Sequence, residues 1–317
     1  MESKASFQQQ DHQQNESFRF FELEGDRFDT PFHHHDEIEL TLIAEGVGLR
    51  LVGDSIAIFK KGDLCLLGGG LPHKFHSIPS GTQPRAYVLQ FRRDCCGGVI
   101  DDSPELARVA AMLDGANRGL QFGIDAATVT AGKLNSLRSA IDHEIICQFL
   151  SILGLLSKTQ GAPLSSESYC ADRNAERTAR MHQAYNYILN NVHHELPQSL
   201  VAQQLGMERE AFGKFFQRQA NQSYRHFVQT TRLSLASLLL LHTDRGIANI
   251  AEAVGFGNQT NFNRCFRSRY HASPRTFRKI GKEVKAERKL EQFLKPVERR
   301  KMELHTQLTA IRAGLGL

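Results

Sequence analysis

The 317-residue sequence has no Cys-x-x-Cys pair, and its six cysteines (Cys65, Cys95, Cys96, Cys147, Cys170, Cys265) follow no framework spacing. That excludes a disulfide scaffold and points to reduced thiols in a cytoplasmic protein. The vicinal pair Cys95-Cys96 reads as ordinary thiols before it reads as a redox couple. The opening stretch, MESKASFQQQDHQQNESFRF, is polar and Gln-rich and lacks the apolar core of a secretory signal. Long apolar runs are missing too. The longest, around Leu233 to Leu241, falls far short of the roughly 20 residues that a membrane span requires. Gly68-Gly69-Gly70 has no Lys-Ser/Thr after it, which excludes a phosphate loop.

The chain does have positive charge, concentrated in one half. The formal net charge is +5. From Arg180 to Ile280 there are 13 Lys+Arg against 5 Asp+Glu, a balance of +8. Gly281 to Leu317 carries +4, which leaves −7 for Met1 to Ala179. A basic C-terminal half beside an acidic N-terminal half suggests two domains, one of them meeting phosphates.

Within the basic half, Ile247 to Lys279 reads as helix, turn, helix. Ile247, Ile250, Ala251 and Val254 recur at helical spacing until Gly255 interrupts them. Asn258, Gln259 and Thr260 open a second helix with Phe262, Cys265 and Phe266 on its core face. Gln259, Thr260, Asn263, Arg264 and Arg267 share the opposite face, and these side chains suit base edges and phosphates. A similar unit spans Ser199 to Phe227. Ser199 is its expected N-cap, Leu200, Val201 and Leu205 its first stripe, and Gly206-Met207 its turn. Phe212, Phe215 and Phe216 then point inward, while Arg209, Lys214 and Arg218 point outward.

Two such units, with turn glycines 49 positions apart and a closing Pro274, Phe277 and Arg278, resemble the tandem helix-turn-helix of AraC/XylS-family transcriptional regulators. The resemblance is strong from about Met181 to Lys279. It implies that Gln259, Thr260, Asn263 and Arg264 face the major groove, and that Arg209, Glu210, Gly213 and Lys214 do so in the first unit. The sequence departs from the pattern at several places. Glu208 and Glu210 bring negative charge, Gly213 offers no side chain, His271 replaces a common glycine, and Gly246 replaces a usual Ser cap.

In the acidic half, short alternating runs (Glu37 to Ile43, Val47 to Val52, Ser55 to Phe59, Leu64 to Leu67, Arg85 to Phe91) are separated by Gly-Asp turns. They predict a small barrel or jelly roll. His33, His35, Glu37 and Glu39 share parity, so a continuous strand would present them on one face. The spacing of His33, His35, Glu39 and Gly46, with His73 following, resembles the cupin fold. Gly68 and Ser77 stand where that fold's second motif usually has Pro and Asn. Three imidazoles and a carboxylate are a competent set for a divalent transition metal. The preferred reading gives His33, His35, Glu39 and His73 another role, as polar groups of a small-molecule pocket, with no metal and no cofactor. His34, of opposite parity, is expected to face away.

The expected fold class is α+β with two domains: a cupin-like jelly-roll barrel followed by helices, then an all-α tandem helix-turn-helix domain. The expected boundaries are a disordered arm at 1–17, the effector-binding barrel at 18–100, helices at 101–157, a linker at 158–177, the DNA-binding domain at 178–280 and a charged extension at 281–317. Ser103-Pro104-Glu105 starts one helix, and a longer one is expected over Ala131 to Leu156 as a dimerisation element. A stripe of Leu290, Leu294 and Val297, broken by Pro296, predicts a kinked helical tail of unassigned function.

The resemblance implies a cytoplasmic transcriptional regulator, an activator rather than a repressor and not an enzyme. Its expected partners are promoter DNA, a sugar-like effector, a second copy of itself and RNA polymerase. The rival reading is a metal-dependent cupin enzyme or metal sensor fused to a DNA-binding module. A third is a metal-free scaffold whose barrel only dimerises.

Overall fold

The computed structural model describes residues 8–14, 18–26, 28, 32–77, 83–169 and 175–282. The expected Leu290, Leu294 and Val297 stripe, and nearly all of the 281–317 extension, lie outside the described residues. The order is β1 (Gln8–Gln14), β2 (Phe18–Glu24), β3 (Ile38–Glu45), β4 (Val47–Val52), β5 (Ser55–Lys60), β6 (Leu64–Leu67), β7 (His73–Ser77) and β8 (Arg85–Phe91). Then come α1 (Val99–Asp102), α2 (Ala107–Gly115), β9 (Leu120–Phe122), α3 (Ile124–Ser139), α4 (His143–Leu156) and β10 (Ala162–Pro163). After these the chain is helical: α5 (Ala175–Asn190), α6 (Gln198–Gln204), α7 (Arg209–Ala220), α8 (Tyr224–His242), α9 (Ile247–Ala253) and α10 (Gln259–Tyr270). A β-rich N-terminal domain followed by helix-turn-helix units is the expected fold class. Contacts gather the chain into two compact units, Met1–Leu235 and Ala236–Leu317, so their boundary falls inside α8.

The strands form two antiparallel sheets. One runs β1-β2-β8-β3-β6-β9-β10, the other β5-β4-β7. Gly53 and Gly62, both at positive φ, make the tight turns that bring β4 to β5 and β5 toward β6. On the larger sheet, Phe18 and Phe91 pack on Phe149 of α4 at ring centroid distances of 4.9 and 5.0 Å. Burying an aromatic side chain of this kind contributes about 1.5–3 kcal/mol.

Four expectations require correction. Gln8–Gln14, inside the expected disordered arm, pairs with β2 through the main chain, which needs no apolar alternation to do so. The predicted strand through His33, His35, Glu37 and Glu39 begins only at Ile38. His33 makes an isolated bridge to His73, and residues 34–37 are irregular. The single helix over Ala131 to Leu156 is two helices, α3 and α4. Asp142, at φ 50° and ψ −127°, breaks it, because that backbone conformation cannot continue a right-handed helix. The 158–177 stretch is not a free spacer. Ala162 and Pro163 pair with Gln121 and Leu120, and Ser165 Oγ donates to the Val52 carbonyl. A smaller difference concerns α6, whose N-cap is Pro197, so Ser199 lies within its first turn.

Candidate functional site

Between the two sheets lies a cavity of about 180 Å³. Its walls are Phe21 and Leu23 of β2, Ile43 of β3, Ala86 and Val88 of β8, Phe75 of β7, and Phe28. Its polar lining is His33, Glu39, Thr41, His73 and Gln90. Strand alternation explains the set. Glu39, Thr41 and Ile43 share one parity on β3, His73 and Phe75 on β7, and Ala86, Val88 and Gln90 on β8.

Of the four sequence-predicted residues, His33, Glu39 and His73 line the cavity, while His35 is not part of its wall and meets Glu39 instead. Glu39 and His73 are 6 % and 2 % exposed, while His33 and His35 are partly buried. Glu39 Oε1 accepts from Thr41 Oγ1 at 2.6 Å, and Oε2 accepts from Gln90 Nε2 at 2.9 Å. His35 Nε2 is 3.1 Å from Glu39 Oε2, and His73 Nε2 is 3.7 Å from it. The three rings of His33, His35 and His73 have centroids 4.4 to 5.7 Å apart. Burial alone would raise the Glu39 carboxyl. The electrostatic pull of His73 and the hydrogen bonds from His35 and Thr41 outweigh it and hold the group well below the usual carboxylate range. Burial would lower His35, but the bond and charge of Glu39, with Glu37 behind it, hold it above the usual imidazole range. Glu37, of the same parity, is not part of the cavity wall. Its carboxylate lies 3.4 Å from His35 Nδ1 on the outer side. His34 is partly exposed.

The outer face of the smaller sheet carries a second set of contacts that sequence reasoning missed. Register pairs Leu51 with Lys74 and Ile56, and Leu49 with His76 and Ile58, so these residues share the face opposite His73 and Phe75. Leu49, Leu51 and Phe32 cluster with Met181, Ala184, Tyr185 and Ile188 of α5. Phe32 meets Tyr185 edge-on at 4.6 Å, and Lys74 Nζ donates to Asn186 Oδ1 at 2.8 Å. Beyond α5, Asn221 at the C-terminus of α7 donates to Asp54 Oδ2 at 3.0 Å, and Gln222 Nε2 donates to the Asp54 carbonyl. Thus Phe32 and His33, and likewise Lys74 and its neighbours His73 and Phe75, are adjacent residues facing opposite ways. One of each set faces α5, the other the cavity.

Helices α7 and α10 each show an apolar and an exposed flank. In α7, Phe212 and Phe216 are buried and Phe215 is partly buried, while Arg209, Glu210, Lys214 and Arg218 are exposed. Gly213 lies against Gln198 of α6, whose Nε2 donates to the Arg209 carbonyl. A Cβ there would stand 2.6 Å from that amide, so glycine permits the close approach. In α10, Phe262, Cys265 and Phe266 are buried, and Gln259, Thr260, Asn263, Arg264 and Arg267 are exposed. Asn258 caps this helix by accepting from the Thr260 and Asn261 amides, and Arg264 donates to Asn261 Oδ1 at 2.9 Å. His271 closes it in the left-handed conformation that a glycine would hold with less strain.

Comparison with known proteins gives consistent matches. Residues 17–118 match the family model of the AraC-like ligand binding domain, and residues 201–280 match a helix-turn-helix domain model. The HTH-type transcriptional activator RhaS of Klebsiella pneumoniae (strain 342) is 21% identical over 264 residues, covering 78% of this chain and 87% of that protein. An uncharacterized HTH-type transcriptional regulator of Staphylococcus aureus (strain MSSA476) is 28% identical over 111 residues. That match covers 35% of this chain and 15% of the other, much longer protein. Among solved structures, ToxT of Vibrio cholerae O395 is 14% identical with a TM-score of 0.35, covering 83% of this chain and 98% of that one. No helix among the described residues is long and apolar enough to cross a membrane.

Proposed function

We propose that this chain, which belongs to the AraC family of transcriptional regulators and carries a ligand-binding and a helix-turn-helix domain, is a cytoplasmic activator rather than an enzyme. In this reading a small sugar-like effector enters the cavity between the sheets. Its hydroxyls meet His33, Glu39, His73 and Gln90, and its carbon face lies on Phe21, Phe28 and Phe75. Arg209, Glu210, Lys214 and Arg218 of α7, and Gln259, Thr260, Asn263, Arg264 and Arg267 of α10, contact promoter DNA. Two copies pair through α3, α4 and the break between them, where Ile124 and Val129 of α3 and Ile141 of the break are 61%, 50% and 66% exposed. The pair then recruits RNA polymerase.

One observation carries this reading. Two separate helices each bury an aromatic stripe and expose a polar, cation-bearing flank, as groove-reading helices do. The test begins with selection from random DNA, with and without a metabolite panel, followed by fluorescence anisotropy on the recovered site. Arg264→Ala is expected to cost about 1–3 kcal/mol and to relax preference at one base pair. Lys214→Ala is expected to weaken all sequences alike. The logarithm of affinity is expected to fall with the logarithm of salt by roughly 0.9 per phosphate contact. No recovered consensus, together with a salt slope near zero, would refute groove docking.

The route from effector to DNA follows the adjacent, oppositely facing residues. Movement of His73 or Phe75 around an effector also moves Lys74, and movement of His33 moves Phe32. Both outward residues rest on α5, which packs with Val201 and Phe212 of the first helix-turn-helix. Lys74→Met keeps the aliphatic stem and removes the bond to Asn186. It is expected to leave effector affinity within about twofold while removing most of the effector-dependent change in DNA affinity, a coupling of about 1–3 kcal/mol in regulators generally. Calorimetry with effector, paired with anisotropy on the selected site, separates the two quantities. If the coupling survives intact, another route carries it.

A further inference from the structure

Cys95 and Cys96 are neighbours in sequence, and in an extended chain neighbouring side chains point to opposite faces. Here a turn brings them together. β8 ends at Phe91, and residues 93–98 turn before α1 begins. The Cys95 N–H donates to the Arg92 carbonyl at 3.1 Å and the Gly97 N–H to the Asp94 carbonyl at 2.9 Å. Gly97 and Gly98, at φ 66° and 85°, carry the chain out of the turn through a region that other residues rarely enter. Arg93 ties the turn to α1 through Asp101 at 2.6 Å and to α2 through Asp114 at 2.7 Å. The two Sγ atoms end 3.7 Å apart, both half-buried, against the core that holds Phe91 and Phe149. A disulfide would have to close that gap to about 2.05 Å. A single atom bound to both sulfurs fits it as it stands: bonds of about 2.3 Å at a near-tetrahedral angle, as in zinc thiolates, set sulfurs roughly 3.7–3.8 Å apart. Among the described residues no third His, Cys, Asp or Glu joins the pair in a ligand group, so a tetrahedral ion would lack half its ligands. The pair suits a soft centre that needs only two sulfurs and brings its own third substituent.

We propose that Cys95 and Cys96 form a binding site for arsonous acids, in which trivalent arsenic carries two hydroxyls and one other group. Arsenic is three-coordinate and pyramidal, and its bonds to sulfur are about as long as those of zinc. The step is a condensation. Each thiol gives its proton to a departing hydroxyl, two As–O bonds break, two As–S bonds form and two waters leave. Arsenic stays trivalent and the sulfurs are not oxidised, so no oxidant is needed. Burial and the neighbouring Cys96 sulfur push the Cys95 thiol up to about 12, which holds it protonated near neutral pH. That disfavours chemistry that begins from a free thiolate, such as disulfide formation. Condensation is spared, because the leaving hydroxyl takes the proton. The turn holds both sulfurs at the bridging separation before anything binds, so little ordering is lost on binding. Neither thiol lines the cavity between the sheets, and the site needs neither effector nor DNA.

The test uses the full chain, reduced with a phosphine and desalted, with phenylarsine oxide as the probe; in water it hydrates to phenylarsonous acid. After one equivalent, the native protein is alkylated with iodoacetamide and digested with trypsin. Cleavage after Arg93 and Arg108 releases a peptide that holds Cys95 and Cys96 and no other cysteine. Both of its thiols are expected to escape alkylation, while Cys147, exposed on α4, is alkylated as before. An added dithiol should strip the arsenic and restore both thiols, and a monothiol at equal thiol concentration should not. Cys95→Ser and Cys96→Ser should each weaken binding by about 100-fold or more, because one sulfur alone cannot chelate. Cys147→Ser should leave it unchanged. Circular dichroism checks that the serine variants fold. If either does not, the peptide map of the unaltered chain decides the matter. Alkylation of both thiols in that peptide at one equivalent overturns the proposal, as does arsenic carried by Cys147 or Cys170 instead. Undiminished binding in folded Cys96→Ser overturns it too.

Discussion

Phe266→Ala is expected to destabilise the second helix-turn-helix by about 3–5 kcal/mol, and with it to abolish sequence-specific DNA binding. The ring is fully buried, with neighbours on every side: Phe262 at 5.5 Å, Tyr270 at 4.6 Å and Phe277 at 5.4 Å between centroids. Its removal takes the dispersion contacts of three aromatic partners and leaves a cavity that rigid rings fill poorly. The described part of the unit is small, made of the end of α8, α9, α10 and the helical residues 274–282, so those residues have little other apolar surface with which to absorb the loss. Urea denaturation followed by far-ultraviolet circular dichroism is expected to show a separate early transition, because the second unit melts before the first. Phe266→Leu, nearer in volume, should recover most of the stability and the binding. A single transition with an unchanged midpoint would show that this cluster does not hold α10 in place.

Phe262 and Phe266 of that cluster were legible from spacing alone, as were the bounds of β4, β6 and β8, which agree with the predicted runs. What escaped was buried polarity. HKFHS does not read as a strand, yet it is β7. Its His73 and Lys74 are 2% and 1% exposed, because one faces the cavity and the other is covered by α5. No local rule announces a lysine buried by a helix more than a hundred residues away. Phe21, Phe28 and Phe75 read as ordinary core, since only the closed sheets show that their rings line a cavity. Motif spacing found His33, His35, Glu39 and His73, although the strand invoked to align them is absent. A bridge between His33 and His73 brings them together instead. Gln90 and Thr41, which orient Glu39, carry no signal in one dimension.

The most informative of the missed residues is Arg50, and Asp63→Leu is expected to cost about 3–5 kcal/mol through it. Alternation along VGLRLV suggests an outward arginine, but β4 is covered on both sides, and Arg50 points between the sheets at 2% exposure. There it donates to Asp63 Oδ2 at 2.6 Å, to Cys65 Sγ at 2.8 Å and to Gln121 Oε1 at 3.3 Å, so β4 of one sheet is tied to β6 and β9 of the other. Cys65 beside it is inert, its thiol pushed up to about 12 by burial. Removing only the carboxylate strands a buried guanidinium that cannot deprotonate. Removing both charges should behave differently. Burial raises the Asp63 carboxyl even against the pull of Arg50 and the bond from Gln121, and a buried ion pair replaced as a whole by apolar side chains is often neutral or stabilising. The double replacement Arg50→Met with Asp63→Leu is therefore expected to recover most or all of the loss. Chemical denaturation of the two single variants and the double gives the coupling directly. Additive losses would mean that the pair sustains the fold independently of its charge balance. Recovery in the double variant, with effector affinity reduced, would instead show that the ion pair is kept to set the separation of the two sheets around the cavity.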